Sequence, residues 1–118
     1  MDEVRKERLM VAGIDVNGTL ERFMGNEALL EQMLNKFKDD THFQKLLEAA
    51  KQLNGDEGLS FSHTLKGMCG NLGMTELYEL FDRQVRIFRG GDIADAFTLL
   101  SEITPVYERM MEAICGVA

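Results

Sequence analysis

Apolar residues return at three- and four-residue spacing along nearly all of this 118-residue chain, and the alternation that marks a strand is absent. That period restricts the fold to helices packed on helices. Only one proline, Pro105, falls within it, and Gly, Asn and Asp supply the punctuation. Short polar turns between long amphipathic segments force successive helices to lie antiparallel. The expected fold class is therefore all-α: an antiparallel four-helix bundle with additional short N-terminal helices, a single domain over residues 1–118.

Residues 1–12 read as a short charged helix, 13–18 as a turn and 19–24 as a brief helical segment. Asp15-Val16-Asn17-Gly18 has a passing likeness to a calcium loop, but its glycine comes too early and the later acidic ligands are missing. Asn26 is placed to cap a helix bearing Leu29, Leu30, Met33, Leu34 and Phe37. Asp39-Asp40-Thr41 interrupts it, and Asp40 or Thr41 caps the following segment, which Asn54-Gly55 stops. Asp56 is expected to cap a helix reaching Leu72 and ending at Gly73. Thr75 caps the next, which Gly90-Gly91 terminates after Arg89. Asp92 caps a last helix running towards Ile114, with a kink at Pro105, which has no backbone N–H to donate.

Composition removes several functional classes. Twenty acidic against thirteen basic residues give a net charge of −7, so the chain lacks the basic field that would draw it to nucleic acid or to an anionic membrane. No apolar stretch approaches the ~18 residues of a membrane span. The charged N-terminus shows no signal-peptide pattern, so a cytoplasmic location is expected. Cys69 and Cys115 form neither a disulfide framework nor a zinc site and are read as free thiols. Eight methionines and no tryptophan point to a core in which flexible Met side chains fill gaps.

The informative stretch is Ser60-Phe61-Ser62-His63-Thr64-Leu65-Lys66-Gly67-Met68-Cys69-Gly70-Asn71-Leu72-Gly73. At about 100° per residue, Phe61, Leu65, Met68 and Leu72 fall on one narrow stripe, the expected buried seam, and His63 lies almost opposite. Ser60, Lys66, Gly67 and Gly70 share its outer face. Two glycines inside a helix each cost about 1 kcal/mol relative to alanine. They make sense where another protein's backbone must approach the imidazole closely. At neutral pH an imidazole in water is largely a free nucleophilic base, able to form a phosphoramidate, and a nearby ammonium would meet the phosphoryl charge. Spacing alone leaves the plainer alternative open, that His63 is an ordinary solvated histidine.

The run His63-Thr64-Leu65-Lys66-Gly67, followed by Asn71-Leu72-Gly73, closely resembles the signature of the histidine-containing phosphotransfer (HPt) domain. In that family the pattern is His, two residues, Lys-Gly, then a Leu-Gly pair ending the helix. Gly13-Ile14-Asp15, Gly18, Leu20, Arg22 and Gly25 are similar to its N-terminal segment, and the resemblance spans about residues 13–114. It implies that His63 is the phosphoacceptor, that Lys66 assists with phosphate charge, and that Gly67 clears space for a docking regulator, with Ser60 and Gly70 lining the same surface. Some members use a Gln on the following helix to hydrogen-bond the imidazole. Val85 stands at that aligned position here, with Gln84 beside it. Gln84 shares a stripe with Leu77, Phe81 and Phe88, roughly level with His63, and is either an orienter of His63 or a boundary residue packed by its methylene stem.

Beyond that motif, His42 reads as a surface residue. Arg83, Arg86 and Arg89 form a solvated face on which Arg83 or Arg86 could fringe a docking surface. No nucleotide-binding motif is present, so the chain is not expected to be an enzyme by itself. The expected partners are response-regulator receiver domains and a sensor histidine kinase. The chain itself needs no cofactor, since the partner receiver domain would supply the acceptor carboxylate and Mg. A monomer is expected. A phosphorylation-independent helical binding module is the alternative from a different class, and a terminal transfer domain of a larger hybrid kinase is a third possibility.

Overall fold

Asp2, Asp15, Asn26, Asn54 and Asp92 each accept a backbone N–H from the residue three positions on, and each opens a helix. In the computed structural model, which describes residues 1–116, the helices are α1 (Glu3–Val11), α2 (Val16–Arg22), α3 (Glu27–Asp39), α4 (His42–Lys51), α5 (Gly55–Asn71), α6 (Thr75–Arg89), α7 (Ile93–Thr98) and α8 (Leu100–Cys115). The described residues form no strand, only a β-bridge between Ile14 and Met74. No helix among them is long and apolar enough to cross a membrane.

Several boundaries differ from expectation for local reasons. Asp15 caps α2, so the helix begins at Val16 and absorbs Asn17 and Gly18. Thr41 holds the N-cap position of α4 without a side-chain cap bond, and the Asp40 carboxylate before it accepts the His42 N–H at 2.8 Å. Asn54-Gly55 opens α5 instead of stopping α4. The chain has already turned at Leu53, whose φ of +50° is left-handed, and Asn54 is then free to cap the Glu57 N–H at 3.1 Å. Asp56, expected as that cap, falls with Glu57 in the first turn, where negative charge suits the helix dipole. Thr75 is the first residue of α6, and Met74, at the cap position, makes the bridge with Ile14. The final helical segment is interrupted at Leu99, and Pro105 sits inside α8.

Tertiary packing centres on α5 and α6. Gly58 meets Phe88, Ser62 meets Gln84, Lys66 meets Asp82 and Gly70 meets Tyr78, so the two run antiparallel. α4 packs on the other side of α5, α6 contacts α7 and α8, and α1 and α3 lean on α8. Tyr107 ties α8 to its neighbours, stacking on Phe43 at 3.9 Å between centroids and meeting Phe37 at 5.7 Å. Leucine and phenylalanine dominate the core. Met74 and Met110 are fully buried and Met1, Met33, Met68 and Met111 pack partly buried against the core, while Met10 and Met24 are exposed, so most methionines fill gaps in the interior as expected. Cys69 is buried on α5, and desolvation pushes its thiol well above the usual range.

Arginines fasten the N-terminal helices across long sequence separations by capping helix ends. Arg5 donates to the Ile114 carbonyl at 2.7 Å and pairs with Glu31 at 3.0 Å. Arg22 donates to the Asn71 carbonyl at 3.0 Å, at the end of α5. Arg109 donates to the Ala12 carbonyl at 3.0 Å and pairs with Glu76. Each places a cation at the negative end of a helix.

The α5–α6 turn depends on Gly73. Its φ is +70°, its carbonyl accepts the Asp15 N–H at 2.9 Å, and an added Cβ would press on the Asp15 carbonyl oxygen at 2.8 Å and on the Thr19 hydroxyl. Gly73→Ala is expected to destabilise the fold by more than ~1 kcal/mol, read as a lower urea midpoint with an unchanged slope. Burial, with the Asp40 carboxylate adding to it, pushes the Tyr107 phenol up from 10.0 to about 12. Between those two values the folded state holds a proton that the unfolded chain has lost, so stability falls as pH rises through that window. Denaturation measured across this range should show that loss, and Tyr107→Phe should reduce it, leaving the part in which the buried Cys69 thiol acts in the same direction.

Candidate functional site

The buried side of α5 carries Gly58, Ser62, Leu65, Cys69 and Leu72, while Phe61 and Met68 are only half-buried. At about 100° per residue, this stripe is turned about 50° from the seam expected from apolar residues alone. Two small residues account for the difference. Gly58 admits the Phe88 and Phe97 rings, where a Cβ would come within 2.6 and 2.7 Å of them. Ser62 faces Gln84. The rotation still leaves His63 exposed, together with Ser60, Thr64 and Gly67.

Gln84 is fully buried. Its Oε1 lies 2.8 Å from the Ser62 hydroxyl, and its Nε2 donates to the Ala96 carbonyl at 3.0 Å. The same hydroxyl lies 2.7 Å from the Gly58 carbonyl, so one proton serves two acceptors. The expected contact from Gln84 to His63 is not made. The carboxamide is turned inward and couples α5, α6 and α7, and a buried carboxamide must find such partners.

Lys66 leans towards α6. Its ammonium lies 3.1 Å from Asp82 Oδ1 and 6.0 Å from the centre of the Tyr78 ring. Asp82 Oδ2 pairs with Arg86 at 3.0 Å. The hydrogen bond from Lys66, with further help from Arg86, holds the Asp82 carboxyl below the usual carboxylate range. Gly70 also has an intramolecular use, since an added Cβ would stand 3.1 Å from the Tyr78 ring. Gly67 has none: nothing lies within 4 Å of where its Cβ would be.

Two concavities flank the exposed face. Asp56, Leu59, Ser60, Thr64 and Arg89 surround His63 in an open depression of about 380 Å³. Gly67 borders a groove of about 510 Å³, lined by Met33, Phe37, Met68 and Leu72 together with Lys36, Asp40 and Asn71. Arg83 and Arg86 are engaged with Glu102 and Asp82. Arg89 makes no ion pair among the described residues, and it is the α6 arginine beside His63. Sequence reasoning placed it only among solvated charges. Its signal was the antiparallel register: if Gly58 meets Phe88, the turn bearing Ser60 lies beside Arg89.

His42 is partly buried, with Nδ1 2.8 Å from Asp40 and its ring edge-on to Phe61 at 6.1 Å. No group of three or more His, Cys, Asp or Glu suited to a metal occurs among the described residues. The arrangement offers one accessible imidazole, free of intramolecular hydrogen bonds among the described residues, with an arginine beside it, an uncovered backbone one turn on, and a lysine three residues along α5 whose ammonium is turned to Asp82. Such an imidazole can act as a nucleophile towards an electrophile carried by another molecule.

Comparison with protein-family models, with curated proteins and with solved structures finds no match for this chain.

Gln84→Leu keeps the approximate volume but strands the Ala96 carbonyl. It is expected to cost about 1–3 kcal/mol in urea denaturation, as a buried unsatisfied acceptor does.

Proposed function

We propose that this protein is a histidine phosphotransfer module in which His63 takes a phosphoryl group from one receiver-domain aspartate and passes it to another. In this reading the helices form an antiparallel four-helix bundle. α3 and α4 make one arm, α5 and α6 the next two, and α7 with α8 the fourth, while α1 and α2 are the additional N-terminal helices. The observation that carries the reading is the exposed imidazole of His63 one turn from Gly67, whose Cα faces open space.

A ring nitrogen of His63 attacks the phosphorus of a phosphoaspartate. A P–N bond forms, the P–O bond to the carboxylate breaks, and the ring gives up its N–H proton to solvent. In the onward step the acceptor carboxylate attacks phosphorus, the P–N bond breaks, and the departing imidazole recovers a proton. Lys66 and Arg89 bring positive charge to the phosphoryl oxygens. Ser60 and Gly67 line the face that a receiver domain covers. Gly70 borders this face while seating Tyr78 within the fold. The partner supplies Mg and the carboxylate, a sensor histidine kinase starts the relay, and the module works as a cytoplasmic monomer without a nucleotide site of its own.

The apolar groove beside Gly67 supports a second reading, a module that docks a signalling partner without phosphorylation. Incubation with a phosphorylated receiver domain and Mg separates the two. Acid-labile, base-stable label is expected on the wild type and is absent from His63→Gln. Gly67→Leu should fold at least as stably, because its side chain enters open space and glycine is a poor helix former, yet transfer about tenfold or more slowly. Wild-type protein that is folded but unlabelled by several competent donors would favour the second reading.

A further inference from the structure

The arm of Lys66 is held away from its expected role. Lys66 is three residues from His63 on α5, so the two side chains are neighbours on the helix surface, yet its ammonium is bound to Asp82 Oδ1 on α6 at 3.1 Å. Asp82 divides its oxygens, giving the other to Arg86 at 3.0 Å. Both Lys66 and Asp82 are partly exposed, so the pair is of the weak kind that a stronger competitor can dissociate. A phosphoryl group on His63 would be such a competitor, with more charge than a carboxylate and three acceptor oxygens. Departure of Lys66 would not leave Asp82 unpaired, because Arg86 remains.

From this geometry, and resting on the proposed phosphoacceptor role of His63, we infer that Asp82 is a positioning residue that stows Lys66 in the unphosphorylated protein and releases it to the phosphoryl group. The stowed lysine makes the resting site less attractive to a phosphate donor than its residue content suggests. The Lys66–Asp82 pair therefore sets the rate at which His63 is charged.

The test uses phosphoramidate as a small donor, so that no partner docking enters. The imidazole nitrogen attacks phosphorus, the P–N bond of the donor breaks, and ammonia leaves carrying the proton lost by the ring. The rate of His63 phosphorylation is compared in wild type, Asp82→Asn, Asp82→Glu, Lys66→Ala and the Lys66→Ala/Asp82→Asn double variant. Asp82→Asn is expected to react about threefold faster than wild type, the scale of a partly exposed ion pair. Asp82→Glu should return the rate to near wild type. In the Lys66→Ala background the Asp82→Asn change should have no effect. Equal rates for wild type and Asp82→Asn would overturn the inference while leaving His63 as the phosphoacceptor. So would the same acceleration with Lys66 removed, which would reduce the effect to net charge. Folded wild type that takes no label on His63 would overturn both the inference and the proposed function.

Discussion

A buried carboxamide that must be satisfied governs how the two central helices meet. Gln84 has no access to water, and its partners are a hydroxyl on α5 and a carbonyl on α7. Leaving it unpaired would cost more than a typical hydrogen bond contributes, so the pairing acts as a register pin. A slide or rotation of α5 that brought Phe61 and Met68 fully inward would carry Ser62 off Gln84. The presentation of His63 follows from that pin, since the face opposite Ser62 and Leu65 must point outward.

α5 itself is a weak helix. It contains Gly55, Gly58, Gly67 and Gly70, and only packing on α4 and α6 makes it stable. The glycines are not equivalent. Gly58 admits two aromatic rings and Gly70 seats the Tyr78 ring, so both serve the fold, whereas Gly67 serves nothing inside the molecule. The arginine contacts act at the other end of the same problem. Arg22 closes the carbonyl end of α5 from α2, and Arg5 and Arg109 do the same for α8 and α1. Short N-terminal helices that bury little core thereby become part of the frame that holds the His63 helix.

The helical class, the extents of α3 and α6, and the exposure of His63 were legible because apolar periodicity and Asn or Gly punctuation act locally. What was not legible depended on partners distant in sequence. The rotation of α5 turned on Gly58 and Ser62, small residues whose burial follows from Phe88, Phe97 and Gln84. Asn54-Gly55 looked like a stop because the turn at Leu53 adopts a left-handed conformation that a leucine does not advertise. Gln84 was placed at the right level but aimed at the wrong partner, since helix counting gives height and not the direction of a side chain. Arg89 could have been found only after the antiparallel register was known.

The burial of Cys69 has a consequence for observing this molecule. A thiol with no solvent access on the same helix as His63, and with its proton held tightly, reacts with an alkylating reagent only when α5 leaves its neighbours. Cys115, exposed near the end of α8, reacts without any such opening. The chain thus carries both a clock and its calibration standard. The ratio of the two labelling rates reports how often the His63 helix opens, in native buffer and without an added probe.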